Sequence, residues 1–255
     1  MSLYQETQGT GPAVVLLHGW GLHSGVWSAI ASVLAQDHRV TAVDLPGFGR
    51  SRVGWRDGMD LDQLVTDLLR ALPQPAAWVG WSLGGLIALA IAARAPAAVS
   101  RLVLIGTTPR FVQTTDWSCA MPQVVFDEFS AGLDRDVEAT LTRFLGLHLG
   151  QGSADRALLR ELRRLLDACG LPEPTALRGG LRVLEQSDLR LALPSIDVPA
   201  LVLHGRDDRL VPATAAAYLV EKLPQARAVY ITGAGHAPFL SQDTQAVDAI
   251  KEFLH

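Results

Sequence analysis

A chain of 255 residues that is 49% hydrophobic and 19% charged suits one large α/β domain or a core domain with an insertion. Its formal net charge of −4 implies no global attraction to nucleic acid, although every basic residue except Lys222 and Lys251 is arginine. Cys119 and Cys169 lack metal-ligand spacing, residues 1–12 lack the regions of a signal peptide, and the longest apolar stretch, Leu86 to Ala93, is too short for a membrane helix, so a cytoplasmic protein is expected.

Ala13 to Leu17 is a continuous apolar run and reads as a strand buried on both faces. It leads into His18-Gly19-Trp20-Gly21, and a helix is predicted from near Ser24. Arg39 to Val43 is the next strand and ends in a loop dense in turn formers, Asp44 to Ser51. Leu61, Leu64, Val65, Leu68 and Leu69 have helical spacing. Ala76 to Val79 reads as a strand, and Gly85 to Ala93 as a buried helix. Arg101 to Ile105 is a further strand, so strand and helix alternate as in a parallel sheet with helices on both faces.

From residue 110 to 193 the pattern changes to short helices around Phe126, Phe144, Leu162 and Leu181, with no convincing strand. Alternation then resumes with strands at Ala200 to His204 and Arg227 to Ile231, and with helices at Ala213 to Leu223 and Val247 to Leu254. The expected division is a core of residues 1–109 and 194–255 with a helical cap at 110–193. No feature forces an oligomer, so a monomer is the default.

Between the third predicted strand and its helix lies Gly80-Trp81-Ser82-Leu83-Gly84, a Gly-x-Ser-x-Gly turn. In that setting the chain reverses sharply at the serine and holds its hydroxyl at the carboxyl edge of the sheet, beside a helix N-terminus that favours negative charge. A serine nucleophile needs a base held by a third group. Asp207-Asp208 follows one later strand and His236 follows the next, so Ser82, an aspartate and His236 stand in the chain order of a sheet-edge triad. The Gly-x-x-Asp spacing from Gly205 favours Asp208 over Asp207 as the acid. The oxyanion of the tetrahedral intermediate would be met by the backbone N–H of Leu83 and that of Trp20, while His18 reads as a residue that shapes the loop. No metal cluster, dinucleotide motif or phosphate loop is present in the sequence, and no cofactor is expected.

On these residues the chain resembles the α/β-hydrolases. Within them it closely resembles the carboxylesterases of biotin synthesis, which hydrolyse the methyl ester of pimeloyl-acyl carrier protein. The resemblance rests on Leu17 to Leu22, Asp44 to Ser51, Gly80 to Gly85, Arg143-Phe144-Leu145, Gly179-Gly180-Leu181, Leu210-Val211-Pro212 and Ala237-Pro238-Phe239, which span nearly the whole chain. It implies Ser82, Asp208 and His236 as triad, and an acyl channel lined by Trp20, Trp81 and Phe144. It also implies that cap arginines receive the acidic carrier protein, which here means Arg143, Arg156, Arg160 and Arg164. Arg156, Arg160 and Arg164 share one helix face at i, i+4 and i+8, and where the family has an arginine one turn before Arg143 this chain has Ala139. Two alternatives remain open on the residues alone. One is a general short-acyl carboxylesterase or thioesterase, and the other is a non-catalytic binding protein on the same scaffold.

Overall fold

Runs that are apolar on both faces must satisfy their backbone groups sideways, and here they do so against one another. The computed structural model describes residues 3–52, 54–150, 155–240 and 244–255. It opens with β1 (Gln5–Gln8), β2 (Ala13–Leu17), α1 (Ser28–Leu34), β3 (Arg39–Val43), α2 (Leu61–Ala71), β4 (Ala76–Trp81), α3 (Leu83–Arg94) and β5 (Val99–Ile105). Four helices follow: α4 (Gln123–Arg135), α5 (Val137–Leu147), α6 (Asp155–Cys169) and α7 (Pro174–Gln186). The chain closes with β6 (Ala200–Gly205), α8 (Ala213–Lys222), β7 (Ala226–Ile231) and α9 (Gln245–Leu254).

The seven strands form one sheet in the order β1-β3-β2-β4-β5-β6-β7, parallel except for β1. β1 is an addition to the predicted elements. It lies antiparallel to β3, from Gln5 opposite Val43 to Gln8 opposite Val40, and three of its four residues are exposed. A polar edge strand of this kind shows no apolar alternation, so it leaves no periodic signal.

The connection from β2 moves outward to β3, whereas the next returns past β2 to β4. Right-handed crossovers therefore put α1 on one face of the sheet and α2 and α3 on the other. The reversal opens a crevice at the carboxyl ends of β2 and β4, where sheets of this type bind ligands. Every residue of β4 is buried, as is α3 from Leu83 to Ala92, because α3 lies between the sheet and α2.

Between β5 and β6 the described residues form α4 to α7 and two isolated β-bridges, Val112–Met121 and Thr114–Trp117. Each helix turns an apolar stripe inward. In α6 this stripe is Leu158, Leu162, Leu165 and Leu166, leaving Arg156, Arg160, Arg163 and Arg164 exposed. In α4 it is Phe126, Phe129 and Leu133, which leaves Val124 and Val125 in solvent.

The segment between β5 and β6 is tied to the sheet loops largely through its backbone. The Trp20 indole N–H donates to the Leu177 carbonyl (2.9 Å), His23 Nε2 to the Leu165 carbonyl (2.7 Å), and the His236 N–H to the His148 carbonyl (3.1 Å). Among the described residues no helix is long and apolar enough to cross a membrane.

Candidate active site

Ser82 has φ 54° and ψ −115°, and it is the only described non-glycine residue with positive φ. Holding a side chain there costs on the order of 1–3 kcal/mol. Packing enforces it: a Cβ on Gly80 would run into the Gly84 carbonyl, and one on Gly84 into the Leu17 carbonyl. The two glycines let strand, turn and helix close to backbone contact. The serine is left at the first turn of α3, where unpaired N–H groups point outward.

His236 is held against this turn from three directions. Its carbonyl accepts the Trp81 indole N–H (2.8 Å), and its ring lies 5.8 Å from that of Trp81. The Ser82 N–H bonds the Ile105 carbonyl, and the next residue, Gly106, is so close that a Cβ on it would lie 3.1 Å from His236 Nδ1. Nδ1 meets Asp208 Oδ2 at 2.7 Å, while Nε2 is buried with no hydrogen-bond partner among the described residues. An imidazole whose Nδ1–H is fixed by a carboxylate presents a bare Nε2 lone pair, which is the form a general base requires.

The Asp208 side chain is fully buried. Burial opposes its ionisation, but the neighbouring His236, then His204 and the Val211 N–H, hold its carboxyl below the usual aspartate value. Its Oδ1 accepts the N–H groups of Leu210 (2.8 Å) and Val211 (2.9 Å). Asp207 makes no side-chain hydrogen bond or ion pair among the described residues, and Arg206 instead lies over the Tyr230 ring.

On the other side of Ser82 is the loop after β2. His18 Nε2 accepts the Leu45 N–H (2.9 Å), so its proton sits on Nδ1 and is donated to the Gly19 carbonyl (2.7 Å). Burial pushes this imidazole down to about 4, so it is a neutral brace between two loops. Asp44, also buried, accepts the N–H groups of Ser24 and Arg50 and the Arg50 Nε–H, tying the same loops together. The backbone N–H groups of Trp20 and Leu83 donate to nothing among the described residues, leaving two donors beside Ser82 for a developing oxyanion.

Ser82 lines a cavity of about 160 Å³. Its walls are apolar, with Trp20, Phe129 and Phe144 in mutual edge or tilted contact at 4.9–5.4 Å between ring centroids, and with Arg143 and Glu128 also on its lining. Trp81 requires a correction: it does not line this cavity. Its ring is wholly buried against Phe239, His148 and His236, because its indole N–H turns away to the His236 carbonyl. Of the remaining arginines, Arg164 is paired with Glu161 (2.5 Å), while Arg156 and Arg160 are exposed along α6.

Two further histidines belong to the site, and no motif singles them out in the sequence. His148, at the end of α5, packs its ring 5.3 Å from that of His236 and donates Nδ1–H to the Phe144 carbonyl (2.9 Å). Burial, then the adjacent His236, pushes its imidazole down to about 3. His204 sits at the end of β6, with Nε2 3.3 Å from Asp208 Oδ2. Its four-residue spacing from the acid is the one hint the chain carries.

Residues 12–243 match the family model for the alpha/beta hydrolase fold. The chain is 45% identical over 252 residues to a pimeloyl-[acyl-carrier protein] methyl ester esterase of Xanthomonas oryzae pv. oryzae, covering 99% of this chain and 98% of that protein. It is 43% identical over 247 residues to the protein of the same name from Nitrosomonas europaea, covering 96% and 97%. Among solved structures, an esterase from Exiguobacterium antarcticum superposes with a TM-score of 0.89 at 24% identity, covering 99% of this chain and 95% of that one, a likeness of fold.

Proposed function

This chain belongs to the α/β-hydrolase family, and on that premise we propose that it is a serine carboxylesterase that hydrolyses the methyl ester of pimeloyl-acyl carrier protein, releasing methanol, in biotin biosynthesis. One observation supports the chemistry above all: a strained serine lines an apolar cavity, and Trp81 beside it is hydrogen-bonded to His236, whose Nδ1 meets a buried carboxylate at 2.7 Å. The near-full-length similarity to esterases of that name supports the substrate.

The steps follow from the site. Ser82 Oγ attacks the ester carbonyl carbon while His236 Nε2 takes its proton, and Asp208 stabilises the resulting imidazolium. The carbonyl oxygen becomes an oxyanion that accepts the N–H groups of Trp20 and Leu83. The tetrahedral intermediate collapses, the methoxy group leaves with the proton from His236, and the pimeloyl chain stays esterified to Ser82. Water then attacks, giving up a proton to His236, and the second collapse returns that proton to Ser82 and frees the carboxylate. The apolar walls fit a linear acyl chain. The inserted helices act as its cap, with Arg143 at the cavity and Arg156, Arg160 and Arg164 along α6 as the face that receives the carrier protein.

Methanol release from pimeloyl-acyl carrier protein methyl ester, measured beside dimethyl pimelate, tests this reading. The carrier-borne ester should be hydrolysed with the higher kcat/KM, and Ser82→Ala should lower turnover by about 10⁴-fold or more. Turnover surviving in Ser82→Ala overturns the nucleophile. Equal kcat/KM on both esters reduces the protein to a general esterase.

A further inference from the structure

We propose that His204 is a positioning residue of the catalytic group, a second imidazole whose N–H shares the charge on Asp208 and so sets how strongly that charge acts on His236. The proposal rests on the esterase reading above. His204 Nε2 lies 2.9 Å from the Val211 carbonyl and 3.3 Å from Asp208 Oδ2. A carbonyl only accepts, so Nε2 carries the proton. The same N–H dipole is thereby presented to the oxygen that meets His236 Nδ1 at 2.7 Å.

His204 Nδ1 is buried with no partner among the described residues. A second proton there would create a buried cation with an unpaired N–H, so the ring works in its neutral form. Burial pushes its pKa down, in agreement with that geometry. Val211 engages both partners: its N–H bonds Asp208 Oδ1 (2.9 Å) and its carbonyl orients His204. Among the described residues, the titratable side chains facing the Asp208–His236 pair are His204 from β6 and His148 from the end of α5.

Oδ1 accepts two backbone N–H groups, whereas among the described residues Oδ2 faces the His236 Nδ1–H at 2.7 Å and, more distantly, the His204 N–H at 3.3 Å. Removing the His204 N–H would leave the Oδ2 charge concentrated on His236. The imidazolium would be stabilised more, the base would be protonated at higher pH, and it would be a weaker acid toward the departing methoxide.

The test compares His204→Leu, which has no donor, with His204→Gln, whose amide N–H reaches the Nε2 position. In kcat/KM on dimethyl pimelate, the acid limb of His204→Leu should move to higher pH by on the order of half a unit, with His204→Gln following the wild type. An unmoved limb in His204→Leu, with kcat/KM lowered evenly at all pH values, would assign His204 to packing alone and overturn the proposal. The Cε1–H resonance of His236, titrated by NMR in a Ser82→Ala background, reads the same shift without turnover. A wild type that hydrolyses no ester would therefore sink the esterase reading while leaving this one to be decided by the resonance. If His204→Leu does not fold, His204→Asn, whose amide reaches only to the Nδ1 position, replaces it with the same expectation.

Discussion

Asp207 and Asp208 are adjacent residues of one chemical type in very different environments. Asp208 is fully buried on the side-chain level, accepts two backbone N–H groups and meets His236 Nδ1, whereas Asp207 is half-buried with no side-chain partner among the described residues. An amide at 208 cannot hold the Nδ1–H tautomer and cannot balance an imidazolium. Asp208→Asn should lower kcat/KM by about 10³–10⁴-fold, and Asp207→Asn by less than about threefold. Comparable losses in the two variants, measured on one ester at one pH, would remove Asp208 from the acid role.

At the scale of single elements, two helices matter for different reasons. α3 is apolar on all sides because it is buried, and its N-terminus is aimed at Ser82 by the glycine contacts that close the turn. α6 is amphipathic: its leucines lock it to the core, and its arginines project outward. If α6 steers an acidic carrier, reversing charge at Arg156 and Arg160 should act on encounter with the carrier. Arg156→Glu combined with Arg160→Glu should raise KM for pimeloyl-acyl carrier protein methyl ester about tenfold relative to KM for dimethyl pimelate. Parallel changes on both esters would leave α6 with no part in docking.

Across the molecule, histidines buried in neutral form join one sheet-edge loop to another at His18 and pack the end of α5 against the His236 loop at His148. Burial pushes His18 to about 4 and His148 to about 3, whereas in the unfolded chain both titrate near 6.5. Because the folded values are depressed, their contribution is fully present above about pH 7 and is lost as pH falls below about 6.5. Over that window the unfolded chain binds two protons that the folded chain does not, so stability should fall by about 2.7 kcal/mol per pH unit from these two groups. Urea midpoints at pH 7.5, 6 and 5 check this, and a flat profile between pH 7 and 5 would contradict it.

Six strands, the helices α4 to α7 and the Gly-x-Ser-x-Gly turn are legible in the residues alone, because each writes a local pattern: an apolar run, a helical period, or glycines at a fixed offset from a serine. β1 is not legible there, since a polar edge strand is held by the backbone of β3 and needs no apolar alternation. The direction of the Trp81 ring, and the convergence of His148 and His204 on the Asp208–His236 pair, were decided only by the tertiary structure. His148 directly follows α5 and His236 lies in the loop after β7, 88 positions apart in the sequence. Contact between such groups depends on how helices close over a sheet, and side-chain periodicity carries no record of it.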